Sequence, residues 1–342
     1  MASAAVLLPA SRPLLKLCFL AAGFLMTTHA NAQGGSLEDV QKMMSRGLLS
    51  EAETRLNQMA AQQPEPAGVE RLQGMIQYQR NDFAAANASF QKAILQDSKD
   101  LESTQMRGVT LYRLGRAAEA IPLLEHSNST IMTANADGTY VLAMCYLDAH
   151  RYNDARHIFA IQYKLLPEAP ASYLFLARML LRRNYPDESA QMAHKALELD
   201  PNLPLAHLLL GQIALAKSRE AEALAEFQAE RKINPMDGEV YERLGDSYLR
   251  ASRYEEAQQS LNCALLLEPN TTAPYILLGQ VLIKREDPST ALNYLARAEK
   301  MDPANHLVHL YLGQAYRSLG RKDDATREYK SAEKLQNASG VN

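Results

Sequence analysis

Residues 238–269 read GEVYERLGDSYLRASRYEEAQQSLNCALLLEP. The stretch closes on Pro269, and prolines stand at the same place in the surrounding chain: Pro167, Pro201, Pro235 and Pro303. Each step is 34 residues. Backwards, Ser98 and Pro64 continue the ladder once one residue is inserted between the third and fourth units; forwards it reaches Asn337. A fixed period of this length is the mark of a repeat protein. Because proline cannot continue a helix, it ends the second helix of each unit and turns the chain into the next pair.

The same residue types return inside each period. A small residue recurs as Gly74, Gly108, Ala143, Ala177, Gly211, Gly245, Gly279 and Gly313. Further along come Ala52, Ala86, Ala120, Ala155, Ser189, Ala223, Ala257, Ala291 and Ala325. Four residues after these stands a large apolar side chain: Leu56, Phe90, Leu124, Phe159, Phe227, Leu261, Leu295 and Tyr329, with Ala193 as the break in the series. Small residues let two helix axes approach, and the large residue fills the gap beside the crossing. Asn81-Asp82 and Leu114-Gly115 punctuate the middle of a unit.

Composition agrees. The chain is 47% hydrophobic with only 7% aromatic residues and no tryptophan, and helix formers dominate it. β-Branched runs are scarce, so no sheet is expected, and the apolar content is too high for a disordered chain. The net charge is −3, falling to −5 without residues 1–32, which carry Arg12 and Lys16 and no acid. A mildly acidic chain without a basic tract argues against nucleic acid and anionic membrane surfaces as partners.

The N-terminus reads as a targeting segment. Arg12 and Lys16 precede an apolar core from Leu17 to Met26, and Ala30-Asn31-Ala32 supplies a small-x-small cleavage signal. The core is too short to span a bilayer, and no second hydrophobic span follows. Cleavage after Ala32 leaves Cys145 and Cys263, three repeats apart and therefore expected as unpaired packing residues. The expected organisation is a signal peptide over 1–32, about three divergent repeats over 33–135, about six regular repeats over 136–337 and a tail over 338–342. That order implies export to the periplasm or outside the cell of a Gram-negative bacterium.

These patterns resemble the tetratricopeptide repeat family, whose unit is a 34-residue helix-turn-helix. The match is fullest at Leu244, Gly245, Tyr248, Tyr254, Ala257, Ala264 and Pro269, and close at Leu312, Gly313, Tyr316, Ala325, Tyr329 and Ala332. It covers about residues 36–336. Before Thr139 it weakens, where Asp39, Gln73 and Arg107 replace the leucine, and Ser127-Asn128-Ser129-Thr130 predicts a local irregularity in the third unit. The resemblance implies an all-α, right-handed superhelical solenoid of about nine repeats, in which stacking supplies the core that one hairpin lacks. The charge-rich segment 323–334 suits an exposed terminal helix.

The resemblance further implies a groove lined by the first helix of each unit. Carried onto this chain, the groove positions include Arg178 and Arg182 in the fifth unit and Leu208 and Gln212 in the sixth. The seventh contributes Glu239, Glu242 and Asp246, and Gln280 and Gln314 follow in the eighth and ninth. Glu239, Glu242 and Asp246 share one helical face, and Arg178 and Arg182 lie one turn apart with leucines between the two groups. The pattern predicts a groove basic at one side, apolar in the middle and acidic at the other, suited to an extended or helical peptide of opposite end charges. The glutamines are placed to hydrogen-bond a peptide backbone. The family's carboxylate clamp for chaperone tails is not supported, because Tyr140, Met144, Leu208 and Gln212 hold its positions.

No catalytic motif occurs: no Gly-x-Ser-x-Gly, His-Glu-x-x-His, phosphate-cradling loop or Cys-x-x-Cys. His306 and His309 are spaced as a pair but lack a third ligand in the sequence, so no metal or cofactor is expected. The reading is a noncatalytic scaffold for a protein or peptide partner, in envelope assembly, polysaccharide export or secretion, with self-association through end repeats left open. The alternatives are a noncatalytic regulatory subunit of an enzyme complex and an enzyme with an unrecognised groove site.

Overall fold

The computed structural model describes residues 36–130 and 136–338. The expected signal segment and most of the tail lie outside them. First helices α1 (Leu37–Ser45), α3 (Val69–Gln79), α5 (Leu101–Arg113), α7 (Ala136–Asp148), α9 (Pro170–Arg182), α11 (Ala206–Ala216), α13 (Gly238–Arg250), α15 (Thr272–Lys284) and α17 (His306–Ser318) run through the chain. They alternate with second helices α2 (Leu49–Ala60), α4 (Phe83–Gln96), α6 (Ala117–Thr130), α8 (Tyr152–Gln162), α10 (Pro186–Leu199), α12 (Glu220–Ile233), α14 (Tyr254–Leu267), α16 (Pro288–Met301) and α18 (Lys322–Ala338). The described residues thus form nine helical hairpins and contain no strand. They fall into two compact units, one ending at Val69 and one running from Glu70 onward. In the first, α1 and α2 pack through Val40, Met44, Ala52, Leu56 and Met59.

The helix ends follow local chemistry. Asp237 accepts the Glu239 and Val240 N–H groups at the start of α13, and Asp100 does the same for Ser103 on α5. Between the two helices of every hairpin stands one residue with positive φ: Gly47, Asn81, Gly115, His150, Asn184, Ser218, Ser252, Glu286 and Gly320. The next N–H reaches the carbonyl five residues back, as in Arg253 N to Tyr248 O at 2.9 Å and Asp287 N to Leu282 O at 2.9 Å. That bond satisfies an orphan carbonyl at the end of the first helix. The one-residue insertion falls between Gly115 and His150, where the step lengthens to 35 residues.

Hairpin packing rests on the small–large pairs. A methyl group at Gly211 would sit 2.3 Å from the Phe227 ring, and one at Gly245 would sit 2.5 Å from Leu261. Gly74 with Phe90, Gly108 with Leu124, Gly279 with Leu295 and Gly313 with Tyr329 repeat the arrangement. Phe90, Phe227, Leu261 and Leu295 are wholly buried, each contributing about 1.5–3 kcal/mol of hydrophobic burial. In the fifth hairpin Ala177 and Ala193 are both buried and face small against small. Ser189 there donates its hydroxyl to the Ala177 carbonyl at 2.7 Å.

In the unit from Glu70 the core is a chain of overlapping clusters rather than one centre. One spans Val109 to Leu180 across α5–α9, the next joins α9–α11, and others join α11–α15 and α15–α17. The first of these crosses the 135/136 boundary, where the sequence changes from divergent to regular. Every backbone hydrogen bond among the described residues lies inside a helix or joins residues no more than five positions apart. Between neighbouring hairpins the backbone bonds are only local linker turns, such as Asp100 N to Asp97 O at 3.0 Å, so the packing of one hairpin on the next rests on side chains.

At Ser127–Thr130, where an irregularity was expected, the backbone is helical, and residues 131–135 that follow lie outside the described residues. α6 continues through Thr130, with Ser127 buried and its hydroxyl donated to the Leu124 carbonyl at 3.1 Å. Among the described residues a departure comes one hairpin later. α8 stops at Gln162, three residues short of its counterparts; Lys164 takes φ 56° and Leu165 N closes on Ala160 O at 2.8 Å. The longer linker that results is pinned by Arg156. Its guanidinium bonds the Pro167 carbonyl and pairs with Glu168 at 2.7 Å, over the Tyr173 ring.

Candidate functional site

First helices lie side by side. α5 and α7, α9 and α11, α13 and α15, and α15 and α17 touch directly, whereas second helices reach their neighbours through the first-helix layer. Within the unit from Glu70 the first helices form this tighter, inner layer, and of the first-helix positions inferred from the repeat all but Leu208 have partly or fully exposed side chains.

Glu239 is the hub of that face. Its Oε1 accepts from Gln212 Nε2 at 3.1 Å, across from α11, and from Arg243 Nη2 at 3.2 Å on its own helix. Its charge also reaches Arg178 on α9: burial lowers the Arg178 pKa, and the Glu239 carboxylate opposes that. Arg178 is half-buried and makes no hydrogen bond or ion pair with any described residue, while Arg182, one turn on, is exposed. On α13, burial pushes Glu242 above the ordinary carboxylate range; Arg243 opposes this, and Glu239, Glu268 and Asp246 reinforce it. Asp246 pairs with Arg250 at 3.0 Å and acts on Tyr311 of α17, whose pKa is raised mainly by burial. Gln280 and Gln314 are half-buried, and their amides bond no described residue.

One expectation is corrected by this geometry. Leu208 does not line the groove: it is 2% exposed and belongs to the core between α11 and α13. It stands in the first turn of α11, where the fully buried Glu230 accepts the backbone N–H groups of Leu205 at 2.7 Å and Leu208 at 3.3 Å. Between the basic and acidic positions, the Gln212 amide on α11 bonds the Glu239 carboxylate on α13.

The structure adds residues that spacing alone did not single out. Arg183 pairs with Asp148 and donates to the Tyr112 hydroxyl at 3.3 Å, joining α9, α7 and the end of α5. Arg243 and Tyr311 join the groove. The signal lay in the period: polar residues at nearly the same register in successive hairpins become neighbours. Cys145 and Cys263 are both free, as expected, and burial pushes the Cys145 thiol up to about 12.

Models of the tetratricopeptide repeat match residues 71–126, 140–204, 186–238 and 276–340, and a second such model matches 238–271. The chain belongs to the tetratricopeptide repeat family. It is accordingly a protein-interaction scaffold, on a fold that is typically noncatalytic. No curated protein matches the sequence significantly. Among solved structures the repeat chain is similar to MamA from Desulfovibrio magneticus RS-1, at 20% identity over 49% of this chain and 96% of that one, with TM-score 0.46. It is similar to YrrB, described as a TPR protein with an unusual peptide-binding site, at 22% identity over 54% and 94%, with TM-score 0.46. A third is the APC/C hetero-tetramer Cut9-Hcn1, at 17% identity over 84% and 56%, with TM-score 0.49. No helix among the described residues is long and apolar enough to cross a membrane.

Proposed function

We propose that this tetratricopeptide repeat protein holds a peptide segment of a partner protein on the inner face of α9, α11, α13, α15 and α17. The observation that carries the reading is the half-buried Arg178 guanidinium, which has no acceptor among the described residues, beside the Gln212–Glu239 bond. A guanidinium seeks a carboxylate or carbonyl, and Gln280 and Gln314 offer free amides to an extended backbone. Glu242 and Asp246 supply the acidic counterpart for a basic residue of the same segment. Charges set orientation and association rate, while contacts with half-buried leucines such as Leu181 and Leu215 supply apolar anchoring.

Peptides selected by display against the folded chain, with binding read by fluorescence anisotropy, test this. Arg178→Ala should raise Kd about tenfold, roughly 1.4 kcal/mol. Gln280→Ala and Gln314→Ala should each raise it by smaller steps, at unchanged melting temperature. Affinity untouched by all three would move the interface off the first-helix layer.

We infer also that the protein works in the periplasm or outside a Gram-negative cell, on the strength of Arg12, Lys16, the apolar run Leu17–Met26 and Ala30-Asn31-Ala32. Envelope assembly, polysaccharide export and secretion are settings that such a scaffold fits. Cell fractionation decides the compartment: a Leu20→Arg variant should remain uncleaved in the cytoplasm, and equal distribution of both chains would refute export.

A further inference from the structure

Beyond the groove, a second cluster lies in the last two hairpins. Glu299 on α16, His309 on α17 and Glu328 on α18 each offer a ligand atom, and the three atoms lie within 4.8 Å of one another. His309 Nδ1 is 2.9 Å from Glu328 Oε2, and its other nitrogen, Nε2, is 3.1 Å from the Pro303 carbonyl oxygen. A carbonyl only accepts, so Nε2 carries hydrogen and donates it. Nδ1 then faces a carboxylate oxygen at 2.9 Å, a contact that either a proton on Nδ1 or a metal ion bound by both groups can mediate. A ring whose far N–H is fixed on a backbone carbonyl has the orientation seen at metal-bound histidines. His309 is 8% exposed and Glu328 9%, so the pair is screened from bulk water. Arg327 Nε approaches the other Glu328 oxygen at 3.4 Å, leaving Oε2 to the histidine.

The chain contains its own comparison. Three repeats earlier, His207 and Glu226 occupy the same register, with Nδ1 2.6 Å from Oε2. There the position of Glu299 is held by Leu197, a partly buried apolar residue. The sixth hairpin thus has a two-residue pair, and only at the ninth does a third ligand arrive from the preceding hairpin.

We propose that Glu299, His309 and Glu328 bind a divalent transition-metal ion, Zn²⁺ foremost, with a fourth position open to water. One imidazole and two carboxylates suit Zn²⁺ or Co²⁺; Ca²⁺ and Mg²⁺ prefer all-oxygen shells. Ligand atoms about a tetrahedral Zn²⁺ stand on the order of 3.3 Å apart, within reach of rotation of the Glu299 side chain. One ligand comes from each of three consecutive helices, so the ion ties the terminal hairpin to its neighbour.

The test uses the full chain stripped with chelator and titrated with ZnCl₂ by calorimetry, and with CoCl₂ by visible absorption. One equivalent is expected to bind. Glu299→Leu, which copies the sixth hairpin, should weaken binding at least tenfold while leaving the metal-free melting temperature unchanged. His309→Gln should abolish it, and His207→Gln should leave it intact. Zn²⁺ should raise the melting temperature of the unaltered chain and not that of Glu299→Leu. Absence of binding at 100-fold excess Zn²⁺, or equal binding by Glu299→Leu, would overturn the site and leave a protonated His309–Glu328 ion pair only.

Discussion

At Gly245 the two helices of the seventh hairpin come so close that a single methyl group would lie 2.5 Å from Leu261. Gly245→Leu should therefore destabilise the chain by about 1–3 kcal/mol through overpacking, measured as a lower urea midpoint. Gly245→Ala combined with Leu261→Ala should cost less than the two single changes summed, because the cavity made by one accommodates the other. The pairing was legible in the sequence, since small and large residues recur in register; the Ala177–Ala193 exception was legible only as a gap in the series. Glu168 makes a different kind of prediction. Hydrogen bonds from Arg156 and Tyr173 hold its carboxyl down to about 2, from an ordinary 4.5. A depressed folded-state value means that the contribution is complete above pH 4.5 and is lost as pH falls towards 2. The melting temperature of the unaltered chain should exceed that of Glu168→Gln at pH 6, and the difference should vanish near pH 2. A gap of constant size across that range would assign Glu168 no role as a charged partner. Nothing in the sequence marked this residue, because Arg156 reaches it across a linker whose length departs from the period.

At the level of the hairpin, every turn uses one left-handed residue, and only Gly47, Gly115 and Gly320 are glycines there. Of the other six, Asn81 was legible as a turn residue, whereas His150, Ser218, Ser252 and Glu286 do not announce a positive φ; the register reveals them. Left-handed backbone costs a side-chain-bearing residue roughly 1–2 kcal/mol, and glycine returns part of that as unfolded-chain entropy. Glu286→Gly should raise the unfolding free energy by about 0.5 kcal/mol, and Gly320→Ala should lower it by about 1 kcal/mol, both read by urea denaturation. Opposite signs would mean that the turn is not what ends the first helix. The groove was legible in part for the same reason. Arg178, Gln212 and Glu239 occupy predicted first-helix positions, but their coupling across α9, α11 and α13 depends on how closely inner-layer helices approach, which periodicity does not specify. Leu208 failed because its register position faces the core, as the buried Leu174 and Ile276 do at the same place one repeat before and two repeats after.

For the molecule as a whole, the unit from Glu70 is a series of like interfaces, and stability is then close to a sum over neighbours. Removing residues 204–237, one full period, joins Leu203 to Gly238 in register. The shortened chain should stay helical by circular dichroism and melt cooperatively at a lower temperature. Removing only 204–219, a first helix and its turn, should leave α12 without its partner and yield an aggregating chain. An equally stable product from both would show that the hairpin is not the structural unit. Because the backbone hydrogen bonds between one hairpin and the next are confined to the short linkers among the described residues, as in Asp100 N to Asp97 O, the stack also has the mechanics of a spring. Tension along it is borne by side-chain contacts that slip and re-form over short distances, while each hairpin keeps its own ladder intact. Pulled from the ends of that unit, such a chain should stretch softly at first and then yield hairpin by hairpin.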